Sequence, residues 1–326
     1  MKLERLEETE LIRAIRKEFA VLRRGLILGI GDDAAVLKEG KKYLILTKDL
    51  LIEDIHFITA LHPPRLLGKK SLNVNLSDIA AMGGSPKYAL LGLSLPSRTP
   101  LNWLEEYFSG FNLACRQWGV ALIGGDVSQS QKITISVTVV GQGKNIIARK
   151  GAKPGHLIFV SGYLGDAKQG FLLLRKGFKL GDNKKAETLL RAFLDPSPQL
   201  HLAQELSRHK LASSMIDTSD GLSVDLFHLC EESRCGAEVE KERLPISPQL
   251  RFWQKKPFDF ALHGGEDYQL LFSVPPRNME SVLRLRKKYR LTCIGRFIRK
   301  KGLYILDQNR KKKPLPVRGY QHFKAR

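Results

Sequence analysis

The sequence predicts an α/β protein, with mixed sheets of the α+β type, divided between two domains. Three patterns carry this expectation. Short apolar runs alternate with helix-length segments along the chain. A polar, turn-rich stretch, Arg149-Lys150-Gly151-Ala152-Lys153-Pro154-Gly155, interrupts that order near the middle. The length, 326 residues, is enough for two domains of ordinary size. The expected division is 1–148 and 149–326.

Each element follows from local spacing. Leu3, Leu6, Leu11, Ile12, Ile15 and Phe19 recur at near-helical intervals, so the first twenty residues read as an amphipathic helix. Strands are expected at 43–46, 88–95 and 133–139. In the last of these, Ile133, Ile135, Val137 and Val139 alternate with Thr134, Ser136 and Thr138, the pattern of a strand with one buried face. Residues 64–78 and 101–118 have the length and composition of helices, the second with Pro100 at its first turn. Beyond the boundary, a strand is expected at 156–160, helices at 200–209 and 222–232, and strands at 269–274, 291–298 and 303–306.

Composition bounds the function. Hydrophobic residues at 43% and charged residues at 27% leave enough apolar material for a core and exclude wholesale disorder. Lys and Arg number 54 against 33 Asp and Glu, a formal charge of +21, which raises the question of nucleic acid. The excess is spread along the chain, densest at Arg299-Lys300-Lys301 and Arg310-Lys311-Lys312-Lys313, and reads better as a solvated basic face that also attracts anionic substrates. Cys115, Cys230, Cys235 and Cys293 form no CxxC pair and lack His at zinc-finger spacing, so reduced and mostly buried thiols are expected. The segment from Met1 to Glu8 has no apolar signal region and no run reaches about 18 apolar residues. A cytoplasmic protein with no membrane association is expected.

Against this basic background stand short acidic clusters beside glycine or at the end of apolar runs. They are Gly31-Asp32-Asp33, Thr47-Lys48-Asp49, Asn75-Leu76-Ser77-Asp78, Gly124-Gly125-Asp126, Asp217-Thr218-Ser219-Asp220-Gly221 and Gly264-Gly265-Glu266-Asp267. Carboxylates suit a hard cation, and glycine lets peptide N–H groups approach phosphoryl oxygens. Gly29-Ile30-Gly31 is no dinucleotide fingerprint, because Ala34 stands where the third glycine belongs, and no Walker A pattern occurs. Taken singly, each cluster also reads as a turn or a helix cap. Asp49, Asp126 and Asp217, however, each follow an apolar run and fall near the exit of an expected strand, where α/β folds gather ligand-binding groups. Together with Asp32 and Asp78 they favour a shared Mg²⁺ site for a metal-bound nucleotide.

Other positions stay open between two readings. Gly124 and Gly125 suit backbone approach to a nucleotide, and Arg149 offers planar donors to phosphate or is a solvated linker charge. Ser219 and Asp220 read as a cap for the helix that follows or as part of an anion site. His56, in Glu53-Asp54-Ile55-His56-Phe57, and Glu266 with Asp267 fit structural roles as well as ligand contacts.

The clusters, in order and spacing, resemble those of the thiamine-monophosphate kinase family. The likeness runs through Gly29-Ile30-Gly31-Asp32-Asp33-Ala34-Ala35, the segment 49–57 ending in His56-Phe57, and Asn75-Leu76-Ser77-Asp78-Ile79-Ala80-Ala81-Met82-Gly83. It continues in Ile123-Gly124-Gly125-Asp126, Asp217-Thr218-Ser219-Asp220-Gly221-Leu222, Gly264-Gly265-Glu266-Asp267-Tyr268 and Gly319-Tyr320-Gln321-His322-Phe323. Single motifs are shared with aminoimidazole ribonucleotide synthetase and selenophosphate synthetase, whereas the combination with His56-Phe57 and the 264–268 segment is specific. The resemblance implies a two-domain aminoimidazole ribonucleotide synthetase-like fold, usually a homodimer formed through the N-terminal sheets.

The same resemblance implies ATP-dependent phosphorylation of thiamine monophosphate to thiamine diphosphate. By matching position, Asp32, Thr47, Lys48, Asp49, Asp78, Asp126, Asp217 and Asp220 would belong to a site for several Mg²⁺ ions. Gly125, Asp126, Arg149 and Ser219 would contact ATP, and His56, Glu266 and Phe323 the thiamine substrate. The family usually has a second Thr where this chain has Lys48, a cation inside the expected cation site. A phosphate acceptor with a second pKa near ~6 is largely ionised at neutral pH, so no general base is expected. The alternatives are an ATP-dependent relative with another acceptor and a basic nucleic-acid-binding protein that kept the fold without catalysis.

Overall fold

The first sheet is built around the alternating strand that the sequence marks at 133–139. The computed structural model describes residues 8–19, 23–320 and 322. After helix α1 (Glu8–Glu18), strands β1 (Leu26–Leu28), β2 (Ala35–Glu39) and β3 (Lys42–Ile52) lead to helix α2 (Pro64–Ala81). Then follow β4 (Ser85–Leu95), α3 (Leu101–Trp118), β5 (Ala121–Gln129) and β6 (Thr134–Gly143). The sheet order is β1-β2-β3-β6-β4-β5, antiparallel except where β5 runs parallel to β4. Ile135, Val137 and Val139 of β6 are buried and their neighbours only partly so, as a one-sided strand requires.

The second half forms the other sheet from β7 (Leu157–Ser161), β8 (Ser214–Asp217), β9 (Gly236–Glu240), β10 (Leu270–Val274), β11 (Leu291–Ile298), β12 (Gly302–Leu306) and β13 (Lys312–Pro314). Its order is β13-β12-β9-β11-β7-β10-β8. Helices α4 (Asp166–Arg175), α5 (Lys184–Leu194), α6 (Leu200–Arg208), α7 (Leu222–Ser233), α8 (Pro248–Trp253), α9 (Pro257–His263) and α10 (Met279–Leu285) complete it. Strand β7 is apolar on both faces: Phe159 joins a core with Leu76 and Val139 of the first half, while Ile158 and Val160 pack with Leu189 and Phe297. The first of these cores therefore runs across both halves of the chain.

The expected mixed α/β fold is present, with two corrections. Asp49 and Asp126 do not lie at strand exits. Strand β3 continues to Ile52 because β6 pairs with each residue from Tyr43 to Ile52, and β5 continues to Gln129 alongside β4. Asp217 alone of the three ends its strand. Neither Ser219 nor Asp220 caps α7; Gly221 takes that position, and its N–H donates to Asp225. The expected N-terminal helix is present as α1, which buries none of its side chains; its contacts with the rest of the protein include the pairs Arg13–Glu231 and Arg16–Glu232 and the His322 N–H donating to Glu8. Leu3 and Leu6 lie outside the described residues.

Among the described residues no helix is long and apolar enough to cross a membrane. The four cysteines are free, three of them buried.

Candidate active site

Helix α2 is the spine of the site, although it is buried on nearly every side. Lys70, Ser71, Asn73, Asn75 and Ser77 are all buried polar residues on it, and burial without a partner would be costly for each. Each has one. Ser71 meets the Tyr107 hydroxyl at 2.9 Å, Asn73 donates to the Pro196 carbonyl, and Asn75 accepts from the Asp49 N–H at 3.0 Å. Ser77 donates to Asp217 at 2.6 Å, and Lys70 donates to Glu266 at 3.0 Å.

At the C-terminal end of this helix the acidic clusters meet. Carboxylate oxygens of Asp33, Asp78 and Asp217 lie within 4.8 Å of one another. Thr47 Oγ1 donates to Asp78, and the Arg149 N–H donates to both oxygens of Asp32, at 3.3 and 3.2 Å. The Arg149 guanidinium donates to Asp33 at 2.6 Å, so Arg149 is paired with the carboxylate cluster and is not a solvated linker charge. Removal from water, reinforced by Asp33, pushes the Asp32 carboxyl up to about 7 and that of Asp217 up to about 8. Desolvation likewise raises Asp49 to about 6, and Asp220 to about 6 with help from Glu8. Asp78 is driven well above the usual carboxylate range by desolvation and then by Asp49, Asp217 and Asp33.

Such crowding is unfavourable without a counter-charge. Asp33 Oδ2 is buried without a hydrogen-bond partner, and the donors offered are all oxygens, the set a hard divalent cation takes. Asp33 stood in the sequence pattern without an assigned role. Its signal was only its neighbour, and the fold alone shows it at the centre.

Other candidates fall outside this cluster. Side chains alternate along a strand, so Thr47 and Asp49 share one face of β3 and exposed Lys48 points to the other. Asp126 is exposed on β5, where it accepts from Ser128 at 3.2 Å. A Cβ on Gly125 would meet the Leu91 carbonyl at 1.8 Å, so the close approach of β4 already requires glycine there. Ser219 shapes the loop through its carbonyl, which accepts the Glu266 N–H at 2.7 Å.

A second group gathers at the other end. His56 Nδ1 accepts the Ile52 N–H at 3.0 Å, which leaves the ring proton on Nε2 as a donor. Burial, then His322 and Lys70, hold His56 down to about 4, so the ring is neutral. His322 lies 5.1 Å from it, ring to ring. Phe323 lies outside the described residues.

Comparison with known proteins bears on this arrangement. The family models for the AIR synthase related protein match residues 31–142 with the N-terminal domain and 153–308 with the C-terminal domain. Thiamine-monophosphate kinase of Aquifex aeolicus (strain VF5) is 35% identical over 331 residues, covering 99% of this chain and 100% of that protein. The Escherichia coli (strain K12) thiamine-monophosphate kinase is 36% identical over 303 residues, covering 91% and 92%. A solved structure, AaThiL complexed with AMPPCP and TMP, superposes with a TM-score of 0.89 at 34% identity, over 99% of each chain. Likeness of this extent, in sequence and in fold, means that the chain belongs to the thiamine-monophosphate kinase family, among the AIR synthase related proteins.

Proposed function

We infer that this protein transfers the γ-phosphoryl group of ATP to thiamine monophosphate, giving thiamine diphosphate and ADP by direct in-line transfer. The observation that carries this is superposition, over 99% of the chain, on a relative holding an ATP analogue and TMP together. Asp32, Asp33, Asp49, Asp78 and Asp217, with Thr47, would hold Mg²⁺, and Asp126 and Asp220 would extend that site. The Lys48 side chain, on the far face of β3, is not among them, so a contact from this position would be made by its backbone oxygen. Bound there, Mg²⁺ supplies charge neutralisation between two phosphates that would otherwise repel.

The protein's own work is positioning. Thr47, Ser77, Asn75 and the Arg149 N–H fix the carboxylates or the strand that carries them, so the site is oriented before substrates arrive. No side chain needs to remove a proton, because the acceptor phosphate is largely ionised above its second pKa of about 6. Gly125, Asp126, Arg149 and Ser219 would contact ATP. His56, through Nε2–H, Glu266 and Phe323 would contact thiamine monophosphate, with Phe323 stacking on an aromatic ring.

We further propose a cytoplasmic homodimer joined through the first sheet, with its domains divided at 148/149. Strand β5 is an edge strand exposed along its whole length, and Leu122, Ile123 and Val127 lie bare on it, which a second copy would cover. The break between the two family models, from 142 to 153, supports the division.

The assay is direct. Purified protein with ATP and Mg²⁺ is offered thiamine monophosphate, free thiamine and the acceptors of the related synthetases. Turnover of thiamine monophosphate alone is expected; its absence would overturn the assignment.

A further inference from the structure

Lys70 is fully buried, and a lysine removed from water needs an anionic partner. Among the described residues its one ion pair is with Glu266 Oε1, at 3.0 Å. The ammonium also sits 3.8 Å from the centre of the Phe193 ring. His62, buried against the same ring, is held well below its ordinary range by burial and then by Lys70, so it stays neutral and adds no second charge. The neighbouring Lys69 pairs elsewhere, with Asp195.

The loop carrying Glu266 is fixed by everything except the Glu266 side chain. Its backbone turns through positive φ at Gly265, Glu266 and Tyr268, at 74°, 59° and 49°. The N–H groups of Glu266 and Tyr268 donate to the carbonyls of Ser219 and Thr218, and the Asp267 carboxylate accepts from Gly165 and Ala167 at the start of α4. What remains free is the rotation of the Glu266 carboxylate, whose side chain is 34% exposed.

We propose that Lys70 is a positioning residue for the ring end of thiamine monophosphate: by holding one Glu266 oxygen it turns the other toward the bound substrate. This rests on the reading of Glu266 as a substrate contact. Lys70 and Asp78 are eight residues apart on α2, so by the helical rise the two positions lie ~12 Å apart along one rigid element. The substrate's ring is cationic, and Lys70 offsets part of the carboxylate's attraction for it. Its contribution is orientation, not charge.

The test is a double-mutant cycle read by steady-state kinetics on the full chain. For Lys70→Met the KM for thiamine monophosphate is expected to rise about tenfold while the KM for ATP moves less than about twofold, the scale of one charged hydrogen bond. Glu266→Gln should show the same split, and the double variant should be no worse than Glu266→Gln alone. An unchanged KM for thiamine monophosphate in Lys70→Met, or a fall in kcat for both substrates together with the melting temperature, overturns the proposal. Should Lys70→Met fail to fold, the double variant, which carries no unpaired buried charge, is compared with Glu266→Gln; equal KM values support the proposal and a further tenfold rise overturns it. Wild-type protein inactive on thiamine monophosphate would instead count against the proposed function.

Discussion

Asp217 is the residue where chemistry and stability pull in opposite directions. It is buried, accepts from Ser77, and has its carboxyl raised from 3.8 to about 8 by burial and then by Asp33. Between those values the folded protein binds more protons than the unfolded chain, so stability is greatest at the acid end and falls as pH rises. Thermal melts of the metal-free protein should therefore show a decreasing melting temperature from about pH 5 to about pH 8, with saturating Mg²⁺ removing most of the slope. Asp217→Asn should melt higher than wild type at pH 8 without metal, yet lose about 10²–10³-fold in turnover, the scale of losing one preorganised electrostatic group. A variant that keeps its activity and melts no higher would remove Asp217 from the site. The sequence flagged Asp217 by its place after Met215-Ile216, but it gave no sign that Asp33 is the group pressing on it, because their contact joins positions 184 residues apart.

At the level of the element, α2 shows what periodicity conveys and what it omits. Its helical character was legible from 64 to 78, and the observed helix extends to Ala81. The roles of Lys70, Asn73 and Ser77 were not legible, because a helix buried on nearly all sides has no polar stripe to mark its facing. Its place is set by glycine. A Cβ on Gly68 would meet the Tyr107 carbonyl at 2.0 Å, and one on Gly110 would meet the Arg65 carbonyl at 1.8 Å, so α2 and α3 cross with their backbones nearly touching. Gly110→Ala should lower stability to urea by about 1–3 kcal/mol, the usual cost of overpacking. Because it also shifts the helix carrying Lys70 and Asp78, the same variant should lose turnover. An unchanged urea midpoint would mean that the helices separate without cost.

For the whole molecule, the two halves share one core, and α2 lies against elements from both, including α6 and β8. The site is thereby assembled from β3, α2, the segment around Asp33 and the end of β8. What the core leaves open is β5, with Val127 72% exposed. Sedimentation should give a dimer, and Val127→Glu should give a monomer of impaired activity, since Asp126 lies on the same strand. A wild-type monomer that is fully active would refute the proposed homodimer.

The sequence by itself determined the family, the mixed α/β order and most of the larger elements, because spacing and residue type are local and additive. Only the tertiary structure decided which carboxylates meet. It placed Asp33 among the acids, turned Lys48 away from them, put Arg149 on Asp33 and buried Lys70 against Glu266. The facing of Lys48 depends on β3 running past Leu46 against β6, and the other outcomes on contacts between distant segments, neither of which a local pattern encodes.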